Sequence, residues 1–141
     1  MPHVLRALLV LAALLISSSS LHAAEVISVE DAHARALEKR LLLVDIRTPD
    51  EWADTGVPAS ARPITMHEAD FLTKLDAAAN GRKDAPIGLI CAVGGRSAYL
   101  SAYLEQQGYT NIIDVSEGMN GSARGSGWLA KGLPVVQPKG N

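Results

Sequence analysis

Three short, unbroken apolar runs constrain the fold more than anything else in this chain. Leu41-Leu42-Leu43-Val44 ends at Asp45, Ile87-Gly88-Leu89-Ile90 ends at Cys91, and Asn111-Ile112-Ile113-Asp114-Val115 forms the third. Apolar residues on consecutive positions, rather than on alternate ones, predict strands covered on both faces, which belong to parallel sheets flanked by helices. The segments between the runs carry helix signals. Strand and helix alternating along one chain imply an α/β fold with a mainly parallel sheet and right-handed crossovers. Ligands of such sheets sit at the carboxyl ends of the strands, so Asp45 and Cys91 stand at the functional edge.

The helix signals are specific. Ser28 followed by Asp31 resembles a capping box and predicts a helix from Val29 to about Arg40. Thr48-Pro49-Asp50-Glu51 offers an N-cap, a proline at the first helical position and acids in the first turn, so a short helix is expected there. After a turn region from Gly56 to Pro63 and a brief strand near Ile64, helix formers run from Ala69 to Ala79. Ser97 to Gln107 contains Ser-Ala-Tyr-Leu twice, and Gly108 is the expected stop. Tyr99, Tyr103, Trp52 and Trp128 are expected in the core, the usual place for aromatic residues on helices. Glu117 to Gly127 is rich in Gly and Ser and reads as irregular, with the reach of a flap, and Trp128 to Lys131 as a single helical turn.

A length of 141 residues suits one domain, with 48% hydrophobic and 20% charged residues and no interior linker or long repeat. The first residues carry Arg6, an apolar run from Ala7 to Ile16, a serine tract and small residues at Ala23-Ala24. That order predicts an export signal over residues 1–24, the apolar stretch being shorter than the ~20 residues that span a bilayer. The expected mature domain, 25–141, loses one Arg and no acid, so its formal charge moves from −2 to −3. No basic patch favours nucleic acid or a membrane surface. A soluble protein of the bacterial periplasm is expected.

Exported proteins use cysteines in disulfide pairs, yet Cys91 is the only cysteine in the chain. Its neighbours supply a reason for an unpaired thiol. Cys91-Ala92-Val93-Gly94-Gly95-Arg96-Ser97 runs from a strand end through a glycine turn into a helix start. Two glycines let successive backbone amides point inward, forming an anion nest continuous with the unpaired amides of the helix. Arg96 adds a cation, and both effects favour the thiolate over the thiol.

The pattern Cys91-x-x-Gly94-x-Arg96-Ser97 resembles the active-site loop of the rhodanese family. Asp45-Ile46-Arg47 with Glu51-Trp52, then Gly108-Tyr109-x-Asn111, then Gly118, Trp128 and Gly132-Leu133-Pro134 are similar to the rest of its pattern, over about Val26 to Val135. The resemblance implies a three-layer rhodanese-like fold and sulfur transfer. Cys91 would attack the outer sulfur of thiosulfate or a related small anion, hold a persulfide, and pass the sulfur to a thiol, cyanide or a protein. Arg96 would act beside it, the loop residues Ala92, Val93, Gly94, Gly95 and Ser97 would bind the anion, and Asp45 and Arg47 would brace the loop. No metal or organic cofactor is implied. The chain has Gly56-Val57-Pro58-Ala59-Ser60-Ala61 where the family often has Gly-His-Ile-Pro-Gly-Ala.

Other chemistries fit less well. Phosphatases of a related fold place five residues between Cys and Arg, whereas four separate Cys91 from Arg96. A thiol-disulfide oxidoreductase would need Cys-x-x-Cys. His3, His22, His33 and His67 show no ligand spacing. The alternative from another class is a rhodanese-like binding module that recognises an anion or partner without turnover.

Overall fold

The computed structural model describes residues 23–139. The expected export signal, residues 1–24, lies outside them apart from its last two positions.

The apolar runs form the centre of a parallel sheet. Strands β1 (Glu25–Val26), β2 (Leu42–Asp45), β4 (Ala61–Pro63), β5 (Ile87–Ile90) and β6 (Ile112–Asp114) are ordered β1-β6-β5-β2-β4, and every pairing is parallel. A small antiparallel pair joins β3 (Val57–Pro58) to β7 (Val135–Val136). Successive strand residues point to opposite faces, which divides the core in two. Val44, Ile87, Leu89 and Ile112 pack with Phe71, Leu75, Leu100 and Leu104 from helices α3 (Phe71–Ala78) and α4 (Gly95–Gln106). On the other face, Leu43, Ile90 and Ile113 pack with Val29 and Ala32 of helix α1 (Val29–Leu37) and with Met119 and Trp128. This is the three-layer α/β arrangement expected.

Helix ends account for the differences from the sequence reading. Helix α1 stops at Leu37, short of Arg40, because Lys39 takes a left-handed conformation with φ 58°. The Lys39 and Arg40 amides then donate to the carbonyls of Ala36 and Arg35 (3.0 and 2.8 Å), closing a Schellman motif without a glycine. Asn80, φ 54°, ends α3 in the same way. Gly108, φ 93°, ends α4 as its position predicts. The brief strand falls at Ala61–Pro63, just before Ile64, and Trp128 to Lys131 is a hydrogen-bonded turn.

The Ser-Ala-Tyr-Leu doublet repeats every four residues on a helix of 3.6 per turn, so each residue type keeps one face. Ser97, Leu100, Ser101 and Leu104 are buried, and the tyrosines are not: Tyr99 is 69% exposed and Tyr103 37%. The expectation of a core role for these two is therefore corrected. Trp128 is fully buried as expected.

Candidate active site

Because all the strands of the main sheet run parallel, their carboxyl ends share one edge. Asp45 pairs with Ile90, and Leu89 with Asp114, so the residues that follow β2, β5 and β6 converge. Cys91 follows β5 and is 1% exposed. Its sulfur lies inside the turn that leads into α4. The amides of Gly94 and Ser97 donate to Sγ at 3.2 and 3.4 Å, and the Ser97 hydroxyl stands 3.6 Å away.

The turn needs Gly94. Its φ of 91° is costly for an L side chain, and a Cβ there would stand 2.3 Å from the Ser116 carbonyl oxygen. The amide of Gly94 can therefore face the sulfur only if no side chain is present. Gly118, φ 77°, makes a similarly close approach from the other side, where a Cβ would meet the Ala92 carbonyl oxygen at 2.4 Å.

The predicted loop residues come together, with distinct tasks. Gly94 and Ser97 supply the sulfur contacts. Ala92 turns its carbonyl to the Asn120 amide (2.9 Å), as Cys91 does to Met119 (2.9 Å), tying the loop to the segment after β6. Val93 is 60% exposed and forms the outer rim, and Gly95 opens α4.

Arg96 is held by a partner that the sequence reading did not assign. Its Nη1 and Nη2 donate to Glu51 Oε2 and Oε1 at 2.8 and 2.6 Å, a two-pronged, charge-assisted contact. Hydrogen bonding to Arg96 is the main reason the Glu51 carboxyl falls from 4.5 to about 2, and the same contact raises the guanidinium. Arg96 is thus a compensated charge, and the direct contacts on the sulfur are the Gly94 and Ser97 amides at the start of α4. Glu51 is fixed in turn by helix α2 (Pro49–Thr55), where it completes a capping box: its Oε2 accepts from the Thr48 amide (2.9 Å) and Thr48 Oγ1 accepts from the Glu51 amide (3.3 Å). The Thr48-x-x-Glu51 spacing was the available signal, since a capping box pins the acid at a known helix start.

Asp45 and Arg47 form a buried pair, 0% and 1% exposed. Arg47 Nε and Nη2 donate to the two Asp45 oxygens at 3.0 and 2.8 Å. The guanidinium continues to Thr55 Oγ1 and to the Gly56 carbonyl, both at 2.8 Å. The pair thus secures the end of α2, which carries Glu51, which orients Arg96. Among the described residues the pair's hydrogen bonds reach α2 and its C-terminal end, not the loop itself.

The glycine-rich segment 117–127 is anchored. The buried Glu117 carboxylate accepts from the amides of Val29 and Gly127, both at 3.1 Å, and pairs with Lys131 at 2.5 Å. Burial acts to raise this carboxyl, but Lys131 and the two amides outweigh it and leave it below its ordinary value. The described contacts bind both ends of the segment and leave Ser122 to Arg124 as its tip.

A buried cysteine in an amide-lined turn, at the carboxyl edge of a five-stranded parallel sheet, defines an α/β protein with a single-cysteine loop at the sheet edge. Residues 28–124 match the rhodanese-like domain, and the chain belongs to that family. It is 32% identical over 124 residues to a sulfurtransferase from Allochromatium vinosum, covering 79% of this chain and 99% of that one. An uncharacterized protein of Rickettsia prowazekii is 29% identical over 108 residues, covering 70% and 85%. Among solved structures, Rv0390 from M. tuberculosis aligns with a TM-score of 0.64 and 26% identity, over 83% of this chain and 100% of that one. The polysulfide-sulfur transferase homodimer of Wolinella succinogenes also gives 0.64, at 23% identity over 82% and 80%, a likeness of fold.

Proposed function

We propose that the protein is a sulfurtransferase that carries sulfane sulfur on Cys91 as a persulfide. The observation that carries this reading is the Cys91 sulfur set inside a turn whose Gly94 and Ser97 amides point at it.

In the first half-reaction the Cys91 thiolate attacks the outer sulfur of thiosulfate or a similar small anion. A sulfur–sulfur bond forms to Cys91, the donor's own sulfur–sulfur bond breaks, and sulfite leaves with the electron pair. The negative charge then rests on the outer persulfide sulfur, where loop amides stabilise it. In the second half-reaction a thiolate or cyanide attacks that outer sulfur and restores the Cys91 thiolate. Arg96, fixed by Glu51, shapes the loop and faces the anionic donor. Residues 1–24 direct the chain to the periplasm in this reading, and small thiols or protein thiols there are the acceptors.

Thiocyanate formation from thiosulfate and cyanide tests the proposal. The wild type is expected to turn over and Cys91→Ser to be inactive with its far-UV circular dichroism unchanged. Equal activity in the serine variant would overturn the assignment. Saturable thiosulfate binding without thiocyanate formation by reduced wild type would favour the silent binding module instead.

A further inference from the structure

The segments that leave β2, β5 and β6 carry the arginines Arg47, Arg96 and Arg124. Two of them are matched by acids: Arg47 is closed on Asp45 and Arg96 on Glu51. Arg124 is exposed, and its hydrogen bond among the described residues is made by its amide, not by its guanidinium. The chain carries a formal charge of −2, so total charge does not draw a small anion to it. At the edge that holds Cys91, Arg124 is the arginine whose charge no carboxylate within the described residues takes up.

Hydrogen bonds set Arg124 beside the cysteine loop. Its amide donates to Ser122 Oγ at 3.1 Å, and that hydroxyl donates to the Ser116 carbonyl oxygen at 2.8 Å. The same Ser116 oxygen is the atom that a Cβ on Gly94 would meet at 2.3 Å, and the Gly94 amide holds the sulfur. Ser122 and Gly125 exchange backbone hydrogen bonds at 2.9 and 3.2 Å, closing a tight turn with Ala123 and Arg124 at its corner. The Asn120 amide on the Ala92 carbonyl ties the segment to the loop a second time. Electrostatics agrees with that placement: burial raises the Asp114 carboxyl at the end of β6, and the Arg124 charge works against the rise.

We propose that Arg124 is a donor-binding residue of this site, its guanidinium receiving the oxyanion end of the sulfur donor while the donor's outer sulfur meets Cys91. The inference rests on the reading of Cys91 as the sulfur-carrying nucleophile. In thiosulfate the oxygen-bearing end is charged before the reaction. It gains further charge as the sulfur–sulfur bond breaks and sulfite leaves with the electron pair, so a cation at that end favours both binding and departure. Arg96 is less able to supply that cation, because Glu51 already accepts from both of its Nη atoms. The donor class selected is one with a full negative charge on its oxygens. In methanethiosulfonate a methyl group replaces one of those oxygens, and the charge rests mainly on the outer sulfur.

Two assays test this in the wild type, Arg124→Gln, Arg124→Lys and Arg82→Gln, the last removing an exposed cation at the opposite end of the sheet, between α3 and β5. The first is thiocyanate formation from cyanide with thiosulfate or methanethiosulfonate as donor. Arg124→Gln is expected to raise the KM for thiosulfate about fivefold and that for methanethiosulfonate by less than about twofold. The second is alkylation of reduced Cys91 by anionic iodoacetate and neutral iodoacetamide, whose rate ratio cancels any change in the thiolate fraction. Arg124→Gln is expected to lower that ratio about threefold, whereas Arg82→Gln, several screening lengths of protein and solvent away, leaves it unchanged. Arg124→Lys should retain most of both effects, since it keeps the charge. Equal losses with the two donors, an unchanged alkylation ratio in Arg124→Gln, or the same fall in Arg82→Gln would overturn the proposal. Alkylation requires no sulfur donor, so a lowered ratio in Arg124→Gln with no thiocyanate formed by the wild type would sink the sulfurtransferase reading alone and leave Arg124 as the cation that receives anions at Cys91.

Discussion

Removing the Glu51–Arg96 contact in a double-mutant cycle should reveal a coupling of about 1.5 kcal/mol at pH 7. The Glu51 carboxyl moves from 4.5 to about 2, chiefly through Arg96 with burial opposing and the Thr48 amide and hydroxyl adding to the fall, and the whole shift taken at face value is roughly 3.4 kcal/mol. Both side chains are about a third exposed, at 32% and 30%, so solvent screening removes half or more of that. Glu51→Gln, Arg96→Ala and their combination, unfolded in urea at 25 °C, give the coupling directly, because the cap lost with Glu51 cancels between single and double variants. The pH dependence has a fixed sign. A carboxyl whose folded value is depressed contributes above its unfolded value and loses that contribution as pH falls from 4.5 towards 2, so roughly half is gone at pH 3. A coupling under about 0.5 kcal/mol at pH 7, or one equal at pH 7 and pH 3, would refute the view that Arg96 is held as a compensated charge.

Three further outcomes follow from the same contacts. Gly94→Ala should cost about 3 kcal/mol or more in urea and slow Cys91 alkylation, since φ of 91° and the Ser116 oxygen at 2.3 Å leave no place for a methyl group. Arg47→Met should cost about 3–5 kcal/mol by leaving the Asp45 carboxyl buried without its partner, and Asp45→Leu added to it should recover much of the loss, as thermal melts would show. Arg96→Ala should raise the Cys91 pKa more than Arg96→Ala with Glu51→Gln, because the single change leaves an unpaired carboxylate beside the loop; equal alkylation profiles would contradict this.

The three central strands were legible because burial on both faces leaves an unbroken apolar run, and the sheet order then places Cys91 and Asp45 on one edge. Helix starts were legible at Ser28 and Thr48, where side chains cap free amides. The helix ends at Lys39 and Asn80 were not, since a non-glycine residue in the left-handed region leaves no mark in composition. Glu51 and Arg96 lie 45 residues apart and meet only once the sheet is assembled. Asp114 likewise reads as an ordinary strand-end acid until its burial is known. Arg47 is a further case: charge alone suggests a surface, and only the closed ring of Asp45, Thr55 and Gly56 makes its burial tolerable.

The most direct measurement is the intact mass of the reduced protein before and after thiosulfate, and again after cyanide. Persulfide chemistry at Cys91 requires a gain of one sulfur atom that cyanide removes and that Cys91→Ser lacks. No gain on freshly reduced thiol, or an equal gain in the serine variant, would contradict it.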